Sequence, residues 1–436
     1  MQWLQAYEID SISVRTIYTT LAAVFPSVES WRTKDTDIVL INREADRPVD
    51  VGELRARIGS APFSEALMAV WRATTVEDVL ARFLARPSFA RAIAEAEGEL
   101  RINTDDLNAL EFSVARALGR RPDFNIDELL LASHQRGEAR PELAEGTGRV
   151  DWRLVFDGMI SMRLIADGPP RPPPHLELPP DMAHRVKAQA AWTSDKPASV
   201  IRAWESQSKP PTNPIELMVM ADAYAVTGAR AQAEPLLAKL AEVQPAEADA
   251  IAAKLAFAEG DTAGAWQRLS RAFTAYRQVP WLNRHLMESS LPLARELCAR
   301  DEKLYPEIEA ALREEFAVHL LGDARREIHL DLTLKYGKGE CVDAIAAYGK
   351  WFPWQAPMLT KRVQCYARND RPELTSAQAE LEELLGDAGV DFGASIRPEE
   401  PLPRVRFAAP GGEPAAEPAA QPATAPAGSA SSVTAP

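Results

Sequence analysis

The stretch NPIELMVMADAYAVTGARAQAEPLLAKLAEVQP, residues 213–245, decides the fold. Asn213 offers a side-chain oxygen for an N-cap, and Pro214 suits the first helical position. Leu217, Met218, Ala221, Tyr224 and Ala225 recur at helical spacing until Gly228 ends the run. A partner helix is predicted from Ala229 to about Val243, closing at Pro245. The pattern then repeats, with a helix from Ala246 to Glu259, a turn at Gly260, and a partner from Thr262 to Tyr276 that closes before Pro280. The turn residues Gly228 and Gly260 are 32 residues apart, and Gly337 and Asn369, in similar helix-turn positions, are again 32 apart.

Both spacings lie close to the 34 residues of tetratricopeptide repeats, and the placement of Ala, Tyr, Gly and Pro resembles theirs. Generic helical hairpins are the alternative. Residues 181–387 are therefore expected to form an α-helical repeat array. Each helix pair cannot bury its apolar stripe alone, so neighbours stack and present a groove to a protein partner. Trp192, Trp204, Trp266 and Trp281 could line such a groove, but their helical spacing favours core packing. Trp351-Phe352-Pro353-Trp354 is expected to be an inter-repeat turn packed inward rather than a partner-binding ridge.

Working outward, Pro169-Pro170-Arg171-Pro172-Pro173-Pro174 and Pro179-Pro180 mark residues 169–180 as a polyproline-type linker, because no helix or central strand tolerates that density. Past Phe407 the chain has no large apolar residue except Val433, so residues 398–436 are expected to be a disordered Pro/Ala-rich tail. Residues 46–168 read mostly as helices. Residues 1–45 carry the clearest strand signals. Asp10-Ser11 caps a helix with Val14, Ile17, Tyr18, Leu21, Val24 and Phe25 on its apolar side, stopped by Pro26. Ser27–Arg32 and Ile38–Ile41, joined by a polar turn, then read as a hairpin. The apolar run at Val39-Leu40 suggests a strand buried on both faces of a larger sheet, whose other strands are missing from the chain.

Gln2-Trp3-Leu4-Gln5-Ala6-Tyr7, the helix to Phe25-Pro26, Trp31, Asp37 and the Ile38–Ile41 strand resemble the end of a spermidine synthase-like domain. The likeness is to polyamine aminopropyltransferases, in particular the larger bacterial relatives fused to a membrane transporter-like half. Ile102-Asn103-Thr104-Asp105-Asp106-Leu107-Asn108-Ala109-Leu110-Glu111-Phe112 adds to it, resembling a Thr-Asp-Asp…Leu-Glu-Phe segment of those relatives, though without the family's usual Pro. The resemblance covers roughly residues 1–120. It implies a mainly α chain headed by the C-terminal remnant of a methyltransferase-type Rossmann α/β domain. It further implies a parent activity of aminopropyl transfer from decarboxylated S-adenosylmethionine to putrescine. The family's Gly-rich cofactor turn and catalytic Asp lie N-terminal to the matched segment, and no GxGxG or GGGDG run occurs here. No catalytic, cofactor-binding or metal-ligating residue is therefore assigned, and the chain alone is expected to be non-catalytic. Either Met1 is an internal start of a longer product or the domain is a remnant.

Asp105, Asp106 and Glu111 are the weak site candidates. Paired carboxylates can hold a polyamine or split their pKa values; the plainer reading is that Thr104-Asp105-Asp106 turns the chain into the next helix. His134, His175, His184, His285, His319 and His329 form no HxH or HExxH pattern, and neither a GxSxG elbow nor a Walker loop occurs. Acidic runs such as Glu95, Glu97 and Glu99, or Glu380, Glu382 and Glu383, read as solvated helix faces.

The 436 residues carry a net charge of −14, which argues against nucleic acid, since phosphate contacts need clustered Lys and Arg. No apolar run is long enough to span a bilayer, and MQWLQAYEID has no basic n-region of a signal peptide. Cys298, Cys341 and Cys365 are odd in number and widely spaced, with no CxxC pair. They are expected to be buried thiols in a reducing, cytoplasmic compartment.

Overall fold

A computed structural model describes residues 1–6, 9–34, 37–96, 102–112, 124–162, 177–318 and 321–387. The N-terminal unit is built on β1 (Gln2–Gln5), α1 (Ser11–Val24), β2 (Ser27–Lys34), β3 (Asp37–Arg43) and, after three short helices, β4 (Phe83–Ala85). Asp10 caps α1 as its sequence requires, accepting from the Ser13 amide at 2.6 Å. The predicted hairpin forms, with Trp31 opposite Val39. Its completion corrects the sequence reading, because the missing strands are supplied by this chain: β1 adds to β3, and β4 adds to β2. The result is a four-stranded antiparallel sheet of order β1-β3-β2-β4. The strand at 38–41 is also not buried on both faces. Ile38 and Leu40 are fully buried while Val39 and Ile41 are only half-buried, the alternation of a strand with one core face.

That core face packs under α1 and α5 (Pro87–Glu95), around Tyr18, Val28, Ile38, Leu40 and Leu84. Burying the Tyr18 hydroxyl is tolerable because it shares a 2.6 Å hydrogen bond with Ser30 Oγ. A satellite cluster joins α2 (Val51–Ile58), α3 (Phe63–Trp71) and α4 (Val76–Leu80). Among the described residues the unit also holds α6 (Ile126–Gln135) and α7 (Trp152–Ser161).

The rest of the described residues are helix paired with helix, and the chain is mainly α. The pairs are α8 (Pro180–Trp192) with α9 (Pro197–Glu205), α10 (Pro214–Val226) with α11 (Arg230–Val243), and α12 (Pro245–Ala258) with α13 (Thr262–Gln278). They continue through α14 (Arg284–Ser290), α15 (Leu293–Arg300), α16 (Tyr305–Arg313), α17 (Gly322–Tyr336), α18 (Cys341–Ala346), α19 (Ala356–Arg368) and α20 (Leu374–Asp387). The boundaries fall within a few residues of those predicted from 213 to 276. Asn213 caps α10 by accepting from the Glu216 amide at 2.9 Å. The first helices of successive pairs touch, α8 to α10 to α12, so one continuous core runs from Ala188 to Leu332.

Gly228 and Gly260 turn the chain at φ of 71° and 86°, a region glycine enters without penalty. Gly337 and Asn369 likewise end helices, directly after Tyr336 and Arg368, but with φ of −77° and −114° they do so without a left-handed residue. Trp192, Trp204 and Trp266 are core residues as expected, but Trp281 is exposed. Trp351 and Trp354, expected to pack inward, are also exposed, at 78% and 50%; the ring that the turn packs against Tyr348 is that of Phe352. Cys341 and Cys365 form a disulfide, contrary to the reading of three thiols. The pairing was hidden because 24 residues separate them, whereas α18 against α19 brings their Cα atoms to 6.0 Å, within bridging range. This removes the argument from free cysteines for a reducing compartment.

Of the linker expected at 169–180, only residues 177–180 are described, and Pro180 opens α8. The tail at 398–436, Glu97, Glu99, His175 and His319 lie outside the described residues. Among the described residues no helix is long and apolar enough to cross a membrane.

Candidate functional site

Two buried arginines join the N-terminal unit to the helical array. Arg185 on α8 donates to Glu216 on α10 at 2.6 Å and to Asp157 on α7. Arg72, just after α3, donates to Glu247 Oε1 on α12 at 3.0 Å and to the Trp281 carbonyl. Both pairs are buried, so the array's first helices are held against a fixed neighbour.

Those first helices line a groove of about 390 Å³. Trp192, Ala223, Val226, Phe257 and Leu293 make its apolar lining, from α8, α10, α12 and α15. Polar groups lie among them. Asp222 accepts from Trp192 Nε1 at 2.8 Å and from Lys254 Nζ at 2.8 Å. Lys254 also donates to Ser289 Oγ at 2.8 Å. His285 packs edge-on against Trp192, with ring centroids 4.4 Å apart, and its Nε2 is 3.4 Å from Asp195 Oδ1. At the far wall the Arg300 guanidinium lies 3.4 Å above the centre of the Phe257 ring and donates to the Phe257 carbonyl. Asp195, Lys196, Glu296 and Arg300 are exposed, so charges of both signs surround an apolar lining.

A larger recess of about 680 Å³ lies against the second helices, α11 and α13. It is a poorer candidate because its arginines already have partners: Arg230 pairs with Glu234 and Glu259, and Arg268 and Arg271 pair with Asp249. The Arg230 pairing raises that guanidinium's pKa above its already high value and lowers that of Glu259, which fixes both as ions.

Asp105, Asp106 and Glu111 are not brought to the groove. All three are exposed on one loop, where the Thr104 hydroxyl accepts from the Leu107 amide and Asn108 donates to Glu111. The turn-forming reading of Thr104 thus describes the local geometry, although no helix is described directly after it. Among the described residues no group of three or more His, Cys, Asp or Glu could hold a metal ion.

Compared with known proteins, the chain matches no family model, no curated protein and no solved structure. The groove residues Asp222, Lys254, Ser289 and Arg300 were not singled out from sequence. One signal was present: Asp222 and Lys254 are 32 residues apart, the same interval as Gly228 and Gly260, so they take equivalent positions on successive first helices. An acid and a base at that interval are placed to meet.

Proposed function

We propose that this chain is a non-catalytic interaction scaffold of the tetratricopeptide type, whose first-helix groove takes an extended peptide segment of a protein partner. The observation that carries this reading is the groove itself: an apolar lining of about 390 Å³, open between charges of both signs, on the helices that a stacked array leaves facing one another. The polar groups beneath it are hydrogen-bonded to each other, which suits a rigid receptor surface more than a reaction centre. Asp222, held by two donors, is poorly suited to act as a base.

The resemblance of residues 1–120 to polyamine aminopropyltransferases is compatible with this reading. The hairpin that carries part of it forms here the central pair of an antiparallel sheet, with α1 packed on its core face. The motifs that would bind decarboxylated S-adenosylmethionine are not in the sequence. In this proposal the N-terminal unit is a support for the array, and aminopropyl transfer by the purified chain is expected at background level.

Selection of a random dodecapeptide library on the full chain tests the scaffold reading. Selected peptides are expected to lose at least tenfold in affinity when Val226→Arg or Ala258→Arg narrows the groove, with thermal midpoints unchanged because both side chains are exposed. A library that returns no binder, or binders indifferent to both substitutions, overturns it.

A further inference from the structure

The C-terminal end of the array has a core of its own. Eight buried residues form it: Leu330, Leu334, Cys341, Ala344, Ile345, Tyr348, Met358 and Cys365. Two of the eight are the disulfide, so the cross-link is a large share of what holds this region. The helix it anchors, α18, has only six residues, too few to be stable without tertiary contacts. The chain between the two cysteines then makes an exposed excursion through Trp351 and Trp354, tied back by the Tyr348–Phe352 contact at 5.1 Å and by Arg362 over Phe352 at 4.8 Å. Asn369 sits at the junction. Its Nδ2 donates to the Cys365 carbonyl at 2.8 Å and lies 3.4 Å from Cys341 Sγ and 3.8 Å from Cys365 Sγ. The third cysteine is of another kind: Cys298 is buried in the main core, where burial pushes its thiol pKa up to about 11, away from the reactive thiolate range.

We propose that Cys341 and Cys365 form a redox latch that fixes α18 against α19 and thereby sets the placement of the exposed Trp351–Trp354 loop. In the latching direction the two thiols give up two protons and two electrons to a low-molecular-weight disulfide such as oxidised glutathione. One sulfur–sulfur bond forms in the protein, the small disulfide is split, and two small thiols leave. Dithiol reductants reverse the step. Both protein sulfurs are buried, at 3% and 0% exposure of their residues, so exchange proceeds through local opening of this small unit while the main core stays closed.

The test uses the full chain equilibrated with oxidised glutathione or with dithiothreitol. Thiol titration after denaturation is expected to find one thiol in the first state and three in the second. Trypsin cleavage after Lys350 and Lys361, followed by peptide mass, is expected to be at least tenfold faster in the reduced chain, with cleavage after Lys239 in the main array unchanged. The Cys365→Ser variant is expected to cleave at the reduced rate under both conditions. Three thiols in both states, equal rates at Lys350 in the two states, or a Cys365→Ser chain as resistant as the oxidised protein would each overturn the latch. Should that variant not fold, the comparison of the two wild-type states decides alone.

Discussion

Lys254 Nζ stands 2.8 Å from Asp222 Oδ1 beneath the groove, two residues at equivalent positions of successive helices joined by one ion pair. Their side chains are only 10% and 9% exposed, so neither charge has water to fall back on. Removing one partner of such a pair costs about 3–5 kcal/mol, because the other is left buried and uncompensated. Asp222→Ala is therefore expected to lower stability by about 3 kcal/mol in urea unfolding. Adding Lys254→Met is expected to restore a large part of it. A double variant no more stable than Asp222→Ala would show that the pair's charge is not what matters.

Arg72 makes the same argument across a boundary. Its guanidinium joins the N-terminal unit to Glu247, and Glu247 in turn accepts from the Asn283 amide at 3.3 Å. Burial lowers the Arg72 pKa and the Glu247 carboxylate counters that, so the group remains a cation. Arg72→Ala is expected to cost about 3 kcal/mol and to split a single calorimetric transition into two, for the unit and the array. One unchanged transition in the variant would refute the coupling.

His329 offers a pH dependence. Its Nε2 lies 2.9 Å from Glu309 Oε1, but burial outweighs that partner, and Arg325 and Arg313 oppose the proton as well. Its pKa is therefore below the ordinary 6.5. As pH falls through about 6.5 the unfolded chain takes up the proton first. Stability from this group is complete above that pH and declines as pH drops toward the folded pKa. Unfolding free energies at pH 7.5 and 5.5 are expected to differ less in His329→Gln than in the wild type. Identical slopes would exclude the histidine as a source.

The turn glycines separate two kinds of constraint. At Gly228 a Cβ would find its nearest neighbour, Ala258 Cβ, at 4.0 Å, so Gly228→Ala suffers only from its φ of 71°, about 1 kcal/mol. At Gly337 the φ is ordinary, yet a Cβ would stand 2.5 Å from the Thr333 carbonyl oxygen and 2.8 Å from Tyr305 Oη. Gly337→Ala is expected to lose about 2 kcal/mol or more, as overpacked sites do. Thermal midpoints rank the two; a larger drop at Gly228 would reverse the assignment.

By itself the sequence determined what local chemistry decides. The cap at Asp10 and the cap at Asn213 start helices where side-chain oxygens meet free amides. Gly228 and Gly260 end the first helices of their pairs, and the hairpin at 27–43 follows from its β-prone runs. Each depends on neighbours within a few turns of chain. Tertiary structure alone decided the contacts that bridge long separations. β4 reached β2 from more than forty residues away, Cys341 met Cys365 across 24, and Arg72 found Glu247 across 175. The groove belongs with these: Trp192, Asp222, Lys254 and Ser289 come from four helices, and their register follows from how those helices pack. Packing also exposed Trp281, Trp351 and Trp354, because a ring's burial depends on the partner surface it meets, which helical spacing does not specify.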